Sequence, residues 1–144
     1  LSRARVEKVV FVDAFAPQPG QKVDEIVKLD TNSNQIRTDL TKGPSKEDLE
    51  QRLFKDLEED IKDWAIRRVT MHPIEASDSP GELDRFWEQT WDATVVRCTK
   101  SVNPSGIHQK NTATALNASY YELDAWHYPM LSHPSELTEI LVGV

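Results

Sequence analysis

The chain has 144 residues and a mass of 16.4 kDa, about the size of one ordinary domain, which leaves little room for two cores. With 24 Asp and Glu against 17 Lys and Arg the net charge is -7, so the basic footprint of a protein that tracks phosphates or coats a membrane is missing, and neither nucleic acid nor membrane is an expected partner. No run approaches the roughly 18 apolar residues of a membrane span. The single cysteine, Cys98, excludes an internal disulfide and a multi-cysteine zinc cage, and fits a reducing, cytoplasmic setting.

The chain opens on Leu1-Ser2-Arg3 rather than Met, which reads as a processed or partial chain. Val9-Val10-Phe11-Val12 is a continuous apolar run flanked by charge, the pattern of a parallel strand buried on both faces. Pro17, Pro19 and Gly20 end it. About 80 residues separate it from the next such run, far more than the roughly dozen that a crossover needs, so the excursion must have structure of its own. Its early part, Asp24 to Leu40, sets Val27, Leu29 and Ile36 around the polar turn Thr31-Asn32-Ser33-Asn34, a small hairpin or a loop.

The clearest helix follows. Ser45 caps with Asp48 three residues on, and Leu49, Leu53, Leu57, Ile61 and Ala65 form an apolar stripe that Phe54 and Trp64 widen. Asp48 to Arg52 and Glu58 to Lys62 are i,i+4 pairs, and Glu58-Glu59-Asp60 reads as a solvated face. A short helix over Glu82 to Gln89 comes next. Ala93 to Cys98 is a second strand, Gly106 to Asn117 a helix, and Ser119 to Leu123 a third strand of the same sheet. Pro134, favoured in a first helical turn, starts the last helix with Leu137, Ile140, Leu141 and Val144.

This order implies an α/β fold: a mostly parallel sheet flanked by helices, with a helical cap inserted between two strands. Residues 1–19 hold the first core strand and its exit loop, 20–90 the inserted cap, and 91–144 the remaining core strands, a histidine-bearing loop and the last helix. Phe54, Trp64, Met71, Phe86, Trp87 and Trp91 pack between helices or line a pocket between cap and sheet.

Chemistry concentrates in Glu122-Leu123-Asp124-Ala125-Trp126-His127-Tyr128-Pro129. A strand ends, a loop carries His127, and a helix opens at Pro134. Ligand crevices in open α/β sheets lie at the carboxyl ends of the strands, and imidazole is the side chain best matched to proton transfer near neutral pH. His72, His108, His127 and His133 make no i,i+4 pair, so no metal site is expected, and no cofactor motif is present.

The His127 loop, with Ser132-His133-Pro134-Ser135-Glu136-Leu137 behind it, resembles the carboxyl-terminal histidine region of the α/β-hydrolase fold family. Val9 to Gly20, Trp91 to Thr99 and Gln109 to Leu116 extend the resemblance over nearly the whole chain. It implies His127 as the general base of a nucleophile, histidine, acid triad. Many members carry Gly before that histidine. Trp126 stands there, so an indole would crowd or line the pocket, which Phe15 and Tyr128 are also expected to line. The family's commoner acid position falls on Thr99-Lys100-Ser101-Val102-Asn103-Pro104, which has no carboxylate. The other falls on Asp13, either the triad acid or a turn residue satisfying backbone groups, with Asp124 in reserve. A nucleophile in Gly-x-Ser-x-Gly is missing, because no two of Gly20, Gly43, Gly81, Gly106 and Gly143 have that spacing.

The reading is therefore the carboxyl-terminal part of a hydrolase that cleaves a small ester, amide or lactone-like substrate, its serine lying upstream of Leu1. Alternatives on the same fold are a small-molecule binding protein or receptor without turnover, and a lyase or isomerase. The expected partners are the small substrate and an amino-terminal half of the same protein, a complementary chain or a second copy that covers the open sheet edge. The 144 residues alone are expected to be inactive and poorly soluble.

Overall fold

A computed structural model describes residues 6–27 and 35–143. β1 (Lys8–Val12) leads into an excursion made of α1 (Val23–Ile26), β2 (Gln35–Arg37), β3 (Thr41–Pro44), α2 (Lys46–Asp48), a π-helical turn (Leu49–Leu53), α3 (Glu59–Ile66), β4 (His72–Pro73), α4 (Glu75–Asp78) and α5 (Asp84–Trp87). Then come β5 (Asp92–Cys98), α6 (Gly106–Leu116), β6 (Ser119–Leu123), α7 (Pro129–Ser132) and α8 (Pro134–Gly143).

The three apolar runs form one parallel sheet in the order β1-β5-β6, with Val12 opposite Val96 and Cys98 opposite Leu123. Parallel neighbours need a crossover, and the long excursion and α6 supply the two. The period of two along each strand divides the core. On one face Val10, Val12, Val96, Cys98 and Leu123 pack with Leu137 and Ile140 of α8. On the other, Val9, Phe11 and Ala93 meet Leu116 of α6 and the stacked rings of Phe86 and Trp91. β5, paired on both sides, is the buried strand. β1 is only half-buried, contrary to the expectation of burial on both faces, because it pairs with β5 alone among the described residues.

The helix expected over 45–65 is broken. Ser45 does accept from the Asp48 N–H, but Phe54 N–H bonds the Leu49 carbonyl, a five-residue step, and α3 restarts after Glu58. Apolar residues spaced by four advance about 40° per step on a 3.6-residue helix. From Leu49 to Ala65 a straight helix would wind its stripe nearly half-way round, and the interruption turns both halves back to one cluster of Leu49, Phe54, Leu57 and Ala65. Arg52 holds Asp48 through two bonds of 2.6 Å. The Glu58 to Lys62 side-chain pair does not form: Glu58 stands at the N-cap position of α3, outside the helix and with no side-chain cap bond, and Lys62 meets Glu59 at 3.2 Å. Trp64 does not widen the stripe either, being 47% exposed with the Arg68 guanidinium over its ring.

Within the excursion β2 and β3 form a hairpin that turns at Thr38 to Leu40, where Thr38 Oγ1 accepts from the Leu40 and Thr41 N–H groups. Leu29 and the turn Thr31 to Asn34 lie outside the described residues. Lys42 ties the hairpin to α1 and α4 through Asp24 at 2.6 Å and Asp78 at 2.7 Å. Among the described residues no helix is long and apolar enough to cross a membrane.

Candidate active site

Asp13 is the first residue beyond β1. Its N–H bonds the Val96 carbonyl at 2.8 Å, and its φ of +43° turns the chain out of the sheet, a left-handed conformation that Asp tolerates better than most residues. The turn drives the carboxylate beneath the end of β5, where it is fully buried. A charge there needs donors on both oxygens. Oδ1 accepts from Gln109 Nε2 at 2.8 Å and from the Cys98 backbone N–H at 3.3 Å. Oδ2 lies 2.7 Å from His127 Nδ1.

His127 sits in the loop between β6 and α7, at the carboxyl end of the parallel strands. Pro129 opens α7 immediately behind it, a short helix that the sequence did not signal. The Tyr128 ring, packed on Phe54, meets the imidazole edge-on at 4.8 Å. An ionised Asp13 can only accept, so it holds the His127 proton on Nδ1 and leaves Nε2 as the basic nitrogen. The imidazole is 29% exposed against none for Asp13, an arrangement in which a buried acid orients a base that remains reachable.

The chain thus brings together two residues 114 positions apart. Asp124 does not join them: it turns outward to Thr99 Oγ1 at 3.0 Å and Lys100 Nζ at 3.1 Å, hydrogen bonds that hold its pKa below the usual value. Proximity in sequence misleads here, because Asp124 lies just past the end of β6 and is held by Thr99 and Lys100, the residues that follow β5. Cys98 is buried, and burial, with the charges of Asp13 and Asp56, pushes its thiol up to about 12, too high for a nucleophile near neutral pH.

A cavity of ≈ 270 Å³ opens beside His127. Phe15, Val27, Leu49, Leu53, Val102 and Tyr128 give it an apolar wall, and Arg52, His72 and Asn103 add polar groups. Trp126 is outside this wall. It lines a smaller hollow next to it, with Arg52, Leu53 and His127, and Lys55 Nζ lies 5.2 Å from its ring centre. A larger hollow of ≈ 370 Å³ between β6 and α8 is lined by Tyr121, Leu123, Glu136, Glu139, Ile140 and Gly143, with no histidine among them.

No family model and no curated protein matches the sequence. Solved structures do match the fold. An extracellular α/β-hydrolase from a Paenibacillus species superposes with a TM-score of 0.74 at 16% identity, over 96% of this chain and 62% of its own. Tomato methylketone synthase I gives 0.74 at 12%, over 97% and 61%, and a methylesterase from Arabidopsis gives 0.70 at 13%, over 96% and 58%. The chain has the α/β-hydrolase fold, and it spans about three fifths of the length of these structures.

Proposed function

We propose that this chain carries the histidine and the acid of an α/β-hydrolase that cleaves a small ester, amide or lactone-like substrate. The observation that supports it most is the 2.7 Å pairing of a partly exposed His127 with a fully buried Asp13, at the strand ends and open to an apolar cavity. A serine from the segment that completes the fold attacks the substrate carbonyl. His127 Nε2 takes the serine proton, and the paired carboxylate stabilises the imidazolium. His127 then gives that proton to the leaving group. In the second half His127 draws a proton from a water that attacks the acyl-enzyme carbonyl, and it returns that proton to the serine oxygen as the ester bond breaks and the acid leaves. Residues 20–90 act as the cap, and Phe15 and Tyr128 hold the apolar part of the substrate. The completing segment packs along the apolar hollow of ≈ 230 Å³ beside β1, lined by Val9, Phe11, Phe86 and Trp87, and its nucleophile reaches the cavity beside His127, within hydrogen-bond distance of Nε2.

Titration of the complete protein with a fluorophosphonate tests this reading. Stoichiometric labelling of one serine, slowed strongly in His127→Ala, is the expected result. No labelling would favour a binding protein without turnover. A second reading keeps the same histidine for lyase or isomerase chemistry, because a protein of this fold is a methylketone synthase. Analysis of products separates the two, since hydrolysis alone incorporates oxygen from labelled water.

A further inference from the structure

We infer that Gln109 is the positioning residue of the Asp13–His127 pair, anchoring one carboxylate oxygen so that the other stays aimed at the imidazole. The inference rests on the catalytic reading above and deepens it. Gln109 is 1% exposed, in the first turns of α6. Its Nε2 donates to Asp13 Oδ1 at 2.8 Å and to the Pro104 carbonyl at 3.1 Å. Both partners are pure acceptors, so the amide has one permissible orientation: flipped, its oxygen would face a carboxylate and a carbonyl. That orientation leaves Oε1 buried with no hydrogen-bond partner. A buried, unsatisfied acceptor is costly, and what it secures is a strong donor on the one carboxylate oxygen that His127 does not use.

α6 grips the same loop again. His108 Nε2 accepts from the Ala16 N–H at 3.1 Å, and Ser105 fixes that turn by capping the His108 N–H. Consecutive residues of one helix thus hold positions 13 and 16 of the loop that presents the acid. The Cys98 N–H, at 3.3 Å, is the weaker donor to Oδ1, so loss of the Gln109 amide leaves the carboxylate free to rotate away from Nδ1.

The test compares Gln109→Leu, Gln109→Glu and His127→Ala in the complete protein, with p-nitrophenyl butyrate as substrate. A hydrogen bond to a charged group is worth roughly ten- to a hundredfold in rate, so Gln109→Leu lowers kcat by about that factor with KM within about twofold. The glutamate variant donates only while protonated, and its neighbour Asp13 raises its pKa. Its kcat relative to native therefore rises as pH falls, while that of Gln109→Leu stays flat. A purely structural glutamine predicts lower melting temperatures with native kcat in both variants, and that result overturns the inference. If Gln109→Leu does not fold, the pH profile of Gln109→Glu decides. An inactive His127→Ala beside a fully active Gln109→Leu removes the positioning role alone. Unchanged turnover in His127→Ala removes the catalytic reading and this inference together.

Discussion

Asp13→Asn isolates the acid with little other disturbance. Asparagine shares with aspartate its tolerance of positive φ, so the +43° backbone is kept. The surroundings choose the amide's orientation. Two donors, Gln109 Nε2 and the Cys98 N–H, face the position of Oδ1, so the amide oxygen takes that place and the NH2 group points at His127 Nδ1. An NH2 group can only donate, which obliges Nδ1 to accept and moves the imidazole proton to Nε2. A nitrogen that already carries a proton cannot take one from a serine. The expected loss is about ten-thousandfold in kcat, or roughly 5.5 kcal/mol of barrier. The stability change is far smaller, about 1 to 3 kcal/mol for exchanging charge-assisted for neutral hydrogen bonds. Steady-state turnover and fluorophosphonate labelling rates, with thermal melts as control, measure both. Retention of more than about a tenth of native turnover in a folded variant would refute the tautomer argument.

Val96, fully buried at the centre of the sheet, should lose about 2 kcal/mol of stability as Val96→Ala, read from denaturant midpoints, whereas a loss under about 0.5 kcal/mol would mean that β5 is not the core strand. His108 has its pKa lowered from 6.5 by burial. The unfolded chain therefore takes up the proton first, and stability falls as pH drops below about 6.5 towards the lowered native value, below which this contribution levels off. His108→Gln should flatten that part of the stability profile, and an unchanged profile would place the acid sensitivity elsewhere. Cys98, with its thiol pushed up to about 12, should resist iodoacetamide at pH 8 in the folded protein and react on unfolding, and fast native labelling would contradict its burial.

Much of this arrangement could be read from the residues. The runs at Val9, Ala93 and Ser119 give strands because apolar, β-branched segments have few other ways to be buried, and Pro134 by its ring and Ser45 by its side-chain cap mark helix starts. The pairing of Asp13 with His127 came from family resemblance, since nothing local joins residues that far apart in the chain. What stayed hidden was tertiary. Gln109 is an ordinary helix residue by sequence, and only the packing of α6 on the sheet, which brings its amide to Asp13 beyond β1, gives it a role. Trp126 next to His127 suggested a pocket wall, and it does line a hollow with His127, though the smaller one, with Lys55 near its ring. The break at Phe54 was also out of reach, because leucines four apart look continuous until the stripe has to face a single core.

The central claim is that His127, oriented by Asp13, is the base of a hydrolytic site. Turnover of p-nitrophenyl butyrate by His127→Ala in the complete protein tests it most directly. The account predicts a fall of at least about a thousandfold in kcat with the fold intact by circular dichroism, and native turnover in that variant would contradict it.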